Sequence, residues 1–370
     1  MPTLDREIFN EIMGLIALEG NAKLKKAYID LVIKLGRAIN IADLDMPTSQ
    51  AMLLKESYNC ARSKAAALRI YEECQKRNIS VICAAHPFYP LKLKNIYNPP
   101  SVLFVMGELS NLAALDCALA IVGSRKADNF GCEFASECAN FMASRNCPIV
   151  SGLAYGIDTS AHKGALKSRS GFPTIAVLGN GLNSIYPARN EKLAREILQK
   201  KGLLISQFRP DAHPNKFSFL DRNRVIAGLS DAVLVVQAPQ RSGSLATASY
   251  ALEEGRDVLV VPGAVNDYRY EGSLKLIKSG AHLISEKTDL LNFFPQASES
   301  NLDQSESPQI LSTEAQSIVA ILKKESRIHI DKLSAIFQNP KHFAQTLIEL
   351  ELSGILVQEP GNFIRLSSTA

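Results

Sequence analysis

The chain has no run of about 20 uninterrupted apolar residues, the length that a membrane-spanning helix needs, although 46% of its residues are hydrophobic. Its first residues lack a basic stretch followed by an apolar core, so we expect no secretory signal peptide. None of the seven cysteines is spaced C-x2-C, which argues against a disulfide framework or a zinc site. These absences predict a cytoplasmic protein that binds neither membrane nor metal.

Nucleotide-binding motifs are also missing. No G-x-G-x-x-G follows the first strand-like run, and no Walker G-x4-G-K-[ST] occurs anywhere. Ser151, Asp158 and His162 suggest a catalytic triad, but Ser151 is not in a G-x-S-x-G elbow. We expect Asp158 to stabilise the start of a helix and His162 to pack or hydrogen-bond locally. The sequence therefore predicts a binding surface without a cofactor or catalytic machinery.

The charge is unevenly distributed along the chain. Residues 1–80 carry +2, residues 81–295 carry +5 and residues 296–370 carry −3, which together make the net charge of +4. A polyanionic partner should therefore meet the middle segment.

The hydrophobic pattern divides the chain into three domains and a linker. Residues 1–80 have helical periodicity and predict a small helical domain. Residues 81–295 alternate continuous apolar runs with helical patterns, which is typical of a doubly wound parallel α/β sheet covered on both faces; within them, residues 81–110 are expected to be a less regular extension. Residues 296–308 form a polar linker, and residues 309–370 predict three helices and a hairpin, hence a winged-helix domain.

Small residues follow the predicted strands wherever a ligand is expected. In a doubly wound sheet, ligands bind at the carboxyl ends of the strands. Backbone N–H groups at glycine and serine, together with helix N-termini, suit phosphate. The residues at these ends are Gly123, Ser124 and Arg125; Ser151 and Gly152; Gly179 and Gly181; Ser242, Gly243 and Ser244; and Gly263. So many at one edge favour phosphate binding over ordinary glycine-rich loops.

The segment from Lys216 to Arg224 combines three cations with two phenylalanines. Arginine grips phosphate, and an exposed Phe219 offers a base a stacking platform, as in single-strand binding proteins. In the alternative interpretation the phenylalanines belong to the core and the arginines pair with Asp221 or Asp231. The segment alone leaves both interpretations open.

Taken together, these motifs resemble the DNA-processing protein A (DprA, or Smf) family over about residues 86–285. The matching motifs are His86-Pro-Phe-Tyr-Pro90, Ala120-Ile-Val-Gly-Ser-Arg125, Ser151-Gly-Leu-Ala-Tyr-Gly-Ile-Asp158, Ile175-Ala-Val-Leu-Gly-Asn-Gly181, Arg222-Asn-Arg-Val-Ile-Ala-Gly228, Ser242-Gly-Ser-Leu-Ala-Thr247 and Gly272-Ser-Leu-Lys-Leu-Ile277. The family usually has Ser-Glu where this chain has Ser206-Gln207. It also prefers Phe-Pro before the Arg-Asn-Arg, where this chain has Phe219-Leu220-Asp221.

The resemblance implies a Rossmann-like fold and a role in natural transformation without enzymatic activity. Such proteins form homodimers, bind and protect incoming single-stranded DNA, and help to load the recombinase RecA. The implied N-terminal domain is of the SAM-like helical type. DNA contacts carried over to this chain are Gly123, Ser124, Arg125, Ser151, Gly152, Lys216, Phe219, Arg222, Asn223, Arg224, Ser242, Gly243, Ser244 and Thr247.

Two other functions stay open at this point. The Ser242–Thr247 loop is similar to the phosphate loop of Rossmann-like nucleotide phosphoribohydrolases, which place a catalytic Glu shortly after the Thr; here Glu253 comes later. A winged-helix regulator that reads duplex DNA is the other alternative. The net negative charge of residues 296–370 argues against groove reading.

Overall fold

The computed structural model describes residues 61–298, except 85, 114, 116 and 170, and residues 313–367, except 326, 338–339, 354 and 360. They belong to two compact units, residues 1–300 and 301–370. The predicted helical domain therefore lies outside the described residues except for its end, and the predicted linker lies almost entirely outside them. No helix in the described ranges is long and apolar enough to cross a membrane.

A nine-stranded sheet forms the centre of the first unit, in the order β1-β2-β6-β5-β4-β3-β7-β8-β9. β1 and β2 are antiparallel additions at one edge, and the strands from β6 to β9 along the sheet are parallel neighbours. The strands are β1 Ser80–Cys83, β2 Val102–Met106, β3 Leu119–Gly123, β4 Ile149–Ser151, β5 Thr174–Val177, β6 Leu203–Ser206, β7 Ala232–Val236, β8 Asp257–Val260 and β9 His282–Leu283.

Helices cover both faces of this sheet, which confirms the doubly wound α/β class. Alternate residues of one strand enter opposite cores: Leu119 and Ile121 of β3 join one hydrophobic cluster, while Ala120 and Val122 join another. The α-helices of this unit are α1 Ala61–Lys76, α2 Leu91–Lys94, α3 Leu109–Ala113, α4 Asn129–Ala143, α5 Ile157–Ala165, α6 Glu191–Gln199, α7 Lys216–Leu229, α8 Gly243–Glu253, α9 Glu271–Lys278 and α10 Pro295–Ser298. Short 3-10 turns occur at Ala188–Asn190, Tyr268–Tyr270 and Lys287–Phe293.

The expectation of an irregular extension over residues 81–110 was wrong, because β1 and β2 lie there. Ile82 and Leu103 pack into the cluster on one face, while Val81 and Phe104 pack into the cluster on the other. Both faces of these strands are therefore buried, as in the strands from β3 to β7. Their pairing joins residues that are distant in the sequence, such as Ser80 and Val105, which no local pattern reveals.

The strand order changes direction at β3. The chain runs from β3 outward through β4, β5 and β6, and then returns to place β7 on the other side of β3. In open α/β sheets the crevice at such a switch point, outside the carboxyl ends of the strands, is the usual place for a ligand.

The second unit contains helices and a small antiparallel sheet in the order β10-β12-β11. Its core includes Ile318, Leu333, Phe343 and Ile364. The elements are α11 Thr313–Lys324, β10 Ile328–His329, α12 Ile330–Ser334, α13 Pro340–Leu352, β11 Leu356–Glu359 and β12 Phe363–Leu366. Three helices and a terminal hairpin agree with the predicted element order, and the winged-helix assignment stays a prediction.

Candidate nucleic-acid interface

A cleft of about 840 Å³ opens at the switch point beside the carboxyl ends of β3 and β7. Its walls are the loop that follows β3, the beginning of α7 and the beginning of α8. This is the edge at which the glycine and serine residues of the sequence predicted a ligand.

Two helix N-termini face this cleft, and side chains cap both. The Asn215 side chain accepts hydrogen bonds from the backbone N–H groups of Phe217 and Ser218, at 3.0 and 2.9 Å. In turn, the Ser218 hydroxyl accepts a hydrogen bond from the backbone N–H of Asn215 at 3.0 Å. At α8, the hydroxyl of Ser242 accepts from the Ser244 N–H at 3.3 Å. Each helix start carries a partial positive charge, and at the cleft this charge favours an anion.

Four exposed cations line the same cleft. They are Arg125, Lys126, Lys216 and Arg241, and none forms an ion pair with another described residue. Arg269 also lines the cleft, but it is bound to Asp128 at 2.9 Å and to Asp267 at 2.6 Å. Asp158 is the one carboxylate among the described lining residues, and it is only 6% exposed. The accessible charge of the cleft is therefore positive.

Aromatic rings adjoin the cations. The guanidinium of Arg125 lies 5.2 Å from the centroid of the half-buried Phe219 ring, and the centroid of the Tyr186 ring lies 5.6 Å from it. Tyr186 is 45% exposed and Tyr155 is 43% exposed. Both rings border a shallow depression that also contains Arg125 and Phe219. Flat rings beside unpaired cations suit the stacking of a base next to a phosphate.

Arg222 has a role in the fold that the sequence did not predict. Its side chain is buried, and Nη1 donates hydrogen bonds to the backbone carbonyls of Gly152 and Val177, while Nε donates to Asn223. Burial lowers the pKa of Arg222 to about 10, and the charge of Asp158 opposes that shift. Arg222 therefore holds the ends of β4 and β5 together at the buried side of the cleft. Its hydrogen bonds give it a structural role, and its contact with DNA stays a prediction.

Asp158 and His162 also serve the interior. The Asp158 carboxylate accepts from the N–H groups of Gly152 and Ala154, at 3.2 and 3.3 Å. Burial raises its pKa, although Arg222 acts in the opposite direction. His162 lies with Nδ1 2.8 Å from the hydroxyl of Thr174, and burial lowers its pKa to about 3. His162 has the local role that the sequence predicted, whereas the hydrogen bonds of Asp158 go to the loop before the helix rather than to the N–H groups of the helix start.

Ser151 and Gly152 also need correction. Ser151 has no exposed surface, and its hydroxyl donates to the Ile121 carbonyl at 2.7 Å, so we no longer expect its side chain to contact DNA. A Cβ atom on Gly152 would lie 2.1 Å from Nη1 of Arg222. This glycine makes room for a buried guanidinium rather than for a phosphate.

The other predicted residues divide by position. Asn223 is buried and donates to the Gly243 carbonyl at 3.1 Å, which ties α7 to the start of α8. Arg224 does not line the cleft, and its guanidinium lies 5.0 Å from the ring of Tyr250. The residues that do line it are Gly123, Ser124, Arg125, Lys216, Phe219, Arg222, Asn223, Ser242, Gly243, Ser244 and Thr247, of which Ser244 and Thr247 are almost fully buried.

Sequence reasoning missed several lining residues. Lys126 and Arg241 stand immediately beside predicted contacts, and their charge next to a small-residue loop was an available signal. Tyr268 and Arg269 come from the loop after β8, and no motif marked them. The two departures from the family pattern, Gln207 and Asp221, do not line the cleft.

Comparison with known proteins identifies relatives over nearly the whole chain. The family model for DNA recombination-mediator protein A matches residues 80–295. Protein Smf of Escherichia coli K12 is 33% identical over 98% of this chain and 96% of its own length. DNA processing protein DprA of Streptococcus pneumoniae R6 is 41% identical over 56% of this chain and 71% of its own length.

Solved structures agree with these relatives. The X-ray structure of DNA processing protein A from Streptococcus pneumoniae superposes with a TM-score of 0.64 and 31% identity, covering 77% of this chain and 97% of that one. A structure concerned with the single-stranded DNA binding mode of DNA processing protein A from Helicobacter pylori superposes with a TM-score of 0.51 and 30% identity, covering 56% of this chain and 93% of that one.

Proposed function

This chain belongs to the DNA recombination-mediator protein A family, and from that premise we propose that it binds single-stranded DNA in the cleft beside β3 and β7. The observation that carries the proposal is the grouping of unpaired cations, two helix N-termini and half-exposed aromatic rings at one edge of the sheet. The Helicobacter pylori relative, whose structure concerns single-stranded DNA binding, supports the choice of ligand.

In this proposal each part of the cleft has a separate task. Arg125, Lys216 and Arg241 bind phosphates as exposed cations, assisted by the starts of α7 and α8. Phe219 stacks on a base beside the Arg125 guanidinium. Neither contact depends on which base is present, because every base has a π face and every nucleotide a phosphate. Binding is therefore expected to tolerate many sequences.

We further propose that the protein acts in natural transformation as a homodimer that protects incoming DNA and helps to load the recombinase RecA. Family membership supports these steps. Residues 296–370, which include the second unit, carry a net charge of −3. We therefore propose that this unit is an accessory domain and does not read duplex DNA. No enzymatic step is part of this proposal.

The central test compares single-stranded with duplex DNA of equal length at several salt concentrations, by fluorescence anisotropy. We expect the protein to prefer the single strand and to bind more weakly as the salt concentration rises. In a plot of log affinity against log salt concentration, each phosphate contacted should contribute about 0.7 to the slope. Arg125→Ala and Lys216→Ala should each weaken binding several-fold, whereas Lys323→Ala in the second unit, an exposed lysine, serves as the control. Unchanged affinity in both cleft variants would contradict the site.

Dimerisation and recombinase loading need separate measurements. Light scattering reports the mass in solution, and the rate of RecA filament formation on DNA coated with single-strand binding protein reports loading. A monomeric protein that does not change that rate would contradict dimerisation and recombinase loading. The proposal of DNA binding would not be affected.

A further inference from the structure

A second positively charged surface lies outside the cleft, on α5, α6 and the segments that follow them. Residues 159–201 contain eight lysines or arginines and only two acidic residues, Glu191 and Glu196, a net charge of +6 within a chain of +4. All eight cations are exposed. The remainder of the chain is therefore slightly acidic, and this segment concentrates the positive charge.

Most of these cations have no carboxylate partner. Glu191 pairs with Arg195 at 2.5 Å, and Glu196 approaches Lys192 at 4.0 Å. The other six form no ion pair with any described residue, and we call them the basic face: Lys163, Lys167, Arg169, Arg189, Lys200 and Lys201. Such a concentration of exposed positive charge attracts anions and polyanions.

The two helices bring the basic face into one surface. α5 and α6 follow consecutive parallel strands, β4 and β5, and their ends are joined by hydrogen bonds. Asn190, just before α6, donates to the Leu153 carbonyl and to the hydroxyl of Thr159 at 2.8 and 2.9 Å. At the opposite ends, Nζ of Lys200 donates to the Leu166 carbonyl. The helices therefore lie side by side, with Arg189 at the cleft edge of the sheet and the remaining cations toward the other edge.

Aromatic rings connect this surface with the cleft. Tyr186 contacts Phe219 on one side and precedes Arg189 by three residues on the other. Tyr155 lies with Tyr186 along the same depression, immediately before α5. A strand that stacks on Phe219 thus finds further exposed rings and then cations in the direction of α5 and α6.

We propose that single-stranded DNA leaving the cleft past Phe219 continues over the basic face, which binds its phosphates without contacting bases. The inference rests on the proposed function of the cleft. α6 with its flanking residues, from Arg189 to Lys201, spans about 18 Å at about 1.5 Å per residue. At about 3.4 Å per stacked nucleotide, that length accommodates about five nucleotides beyond the cleft.

The experiment uses the full chain and two labelled thymidine oligonucleotides, one of about 6 nucleotides to fill the cleft and one of about 20 to reach the basic face as well. The test variant is Lys163→Gln with Lys167→Gln. For the long oligonucleotide we expect weaker binding and a salt slope reduced by about 1.4, since each phosphate contact on a single strand contributes about 0.7. The short oligonucleotide should bind with unchanged affinity and slope.

The matched control is Lys163→Arg with Lys167→Arg, which keeps both charges and should behave as the wild type with both oligonucleotides. Equal losses for short and long DNA would overturn the proposal, because they would show an altered cleft. Unchanged binding of long DNA, or charge-dependent binding of anionic phospholipid vesicles in its place, would also overturn it. Failure of the wild type to bind either oligonucleotide would refute the proposed function itself.

Discussion

Arg125 and Arg222 allow the sharpest test, because both arginines lie near the Phe219 ring but one is exposed and the other is buried. The exposed guanidinium of Arg125 lies 5.2 Å from the centroid of that ring, and the buried guanidinium of Arg222 lies 5.9 Å from it. We predict that Arg222→Leu destabilises the fold, whereas Arg125→Leu weakens DNA binding without destabilising it.

The magnitude for Arg222 follows from its partners. Arg222→Leu would leave the carbonyls of Gly152 and Val177 without these donors and the buried Asp158 carboxylate without its nearby positive charge. Removing one member of such a buried charged group costs about 3–5 kcal/mol. That is a large part of the about 5–15 kcal/mol by which a domain is stable. An exposed residue such as Arg125 contributes within about 0.5 kcal/mol.

The assay is urea unfolding followed by far-ultraviolet circular dichroism, with anisotropy titration of single-stranded DNA in parallel. With a denaturant dependence of about 3 kcal/mol per M, Arg222→Leu should lower the unfolding midpoint by about 1–2 M. Arg125→Leu should leave the midpoint within about 0.2 M and reduce affinity several-fold. An Arg222→Leu protein that keeps its midpoint but loses DNA binding would refute the structural role assigned here.

Three further predictions concern single residues. Phe219→Ala should weaken binding of single-stranded DNA by about 1–3 kcal/mol in the same titration, and a loss below about 0.5 kcal/mol would show that the ring does not stack on a base. Gly152→Ala should destabilise the fold by about 1–3 kcal/mol in urea, because its Cβ would meet the Arg222 guanidinium, whereas Gly171→Ala, with no heavy atom within 4 Å of its Cβ, is the control. Because burial lowers the folded pKa of His162 from 6.5 to about 3, the stability it contributes is complete above pH 6.5 and is lost as the pH falls toward 3. Between pH 7 and pH 5 the free energy of unfolding of the wild type, measured in urea, should fall by about 2 kcal/mol more than that of His162→Gln. An equal fall in the two proteins would contradict a neutral buried imidazole.

Much of the fold follows from local patterns in the sequence. The apolar runs at β3 to β8 indicate strands with both faces buried, because such runs cannot expose a face to water. The edge strand β9, whose two residues are exposed, departs from this pattern. The small residues Gly123 and Ser242–Ser244 mark the edge where the cleft lies, since chain direction in a parallel sheet places all the loops after its strands at one edge. Element type and the position of the cleft are therefore readable before any tertiary contact is known.

The role of each residue at that edge depends on distant contacts. Nothing local separates Arg222, which binds the carbonyls of Gly152 and Val177, from Arg125, which faces the open cleft. β1 and β2 escaped prediction for a similar reason, since their pairing joins separated segments.

The sequence alone thus determined the layered fold, the edge of the sheet at which the cleft lies and the excess of positive charge, all of which arise from composition and short-range periodicity. Only the tertiary structure decided which cations are accessible and which are buried and hydrogen-bonded within the protein. It also showed that the charge of residues 159–201 lies on one surface, which runs from Arg189 at the cleft edge of the sheet to the opposite edge. Burial and hydrogen-bond partners depend on what packs against a side chain, and those neighbours come from elsewhere in the chain.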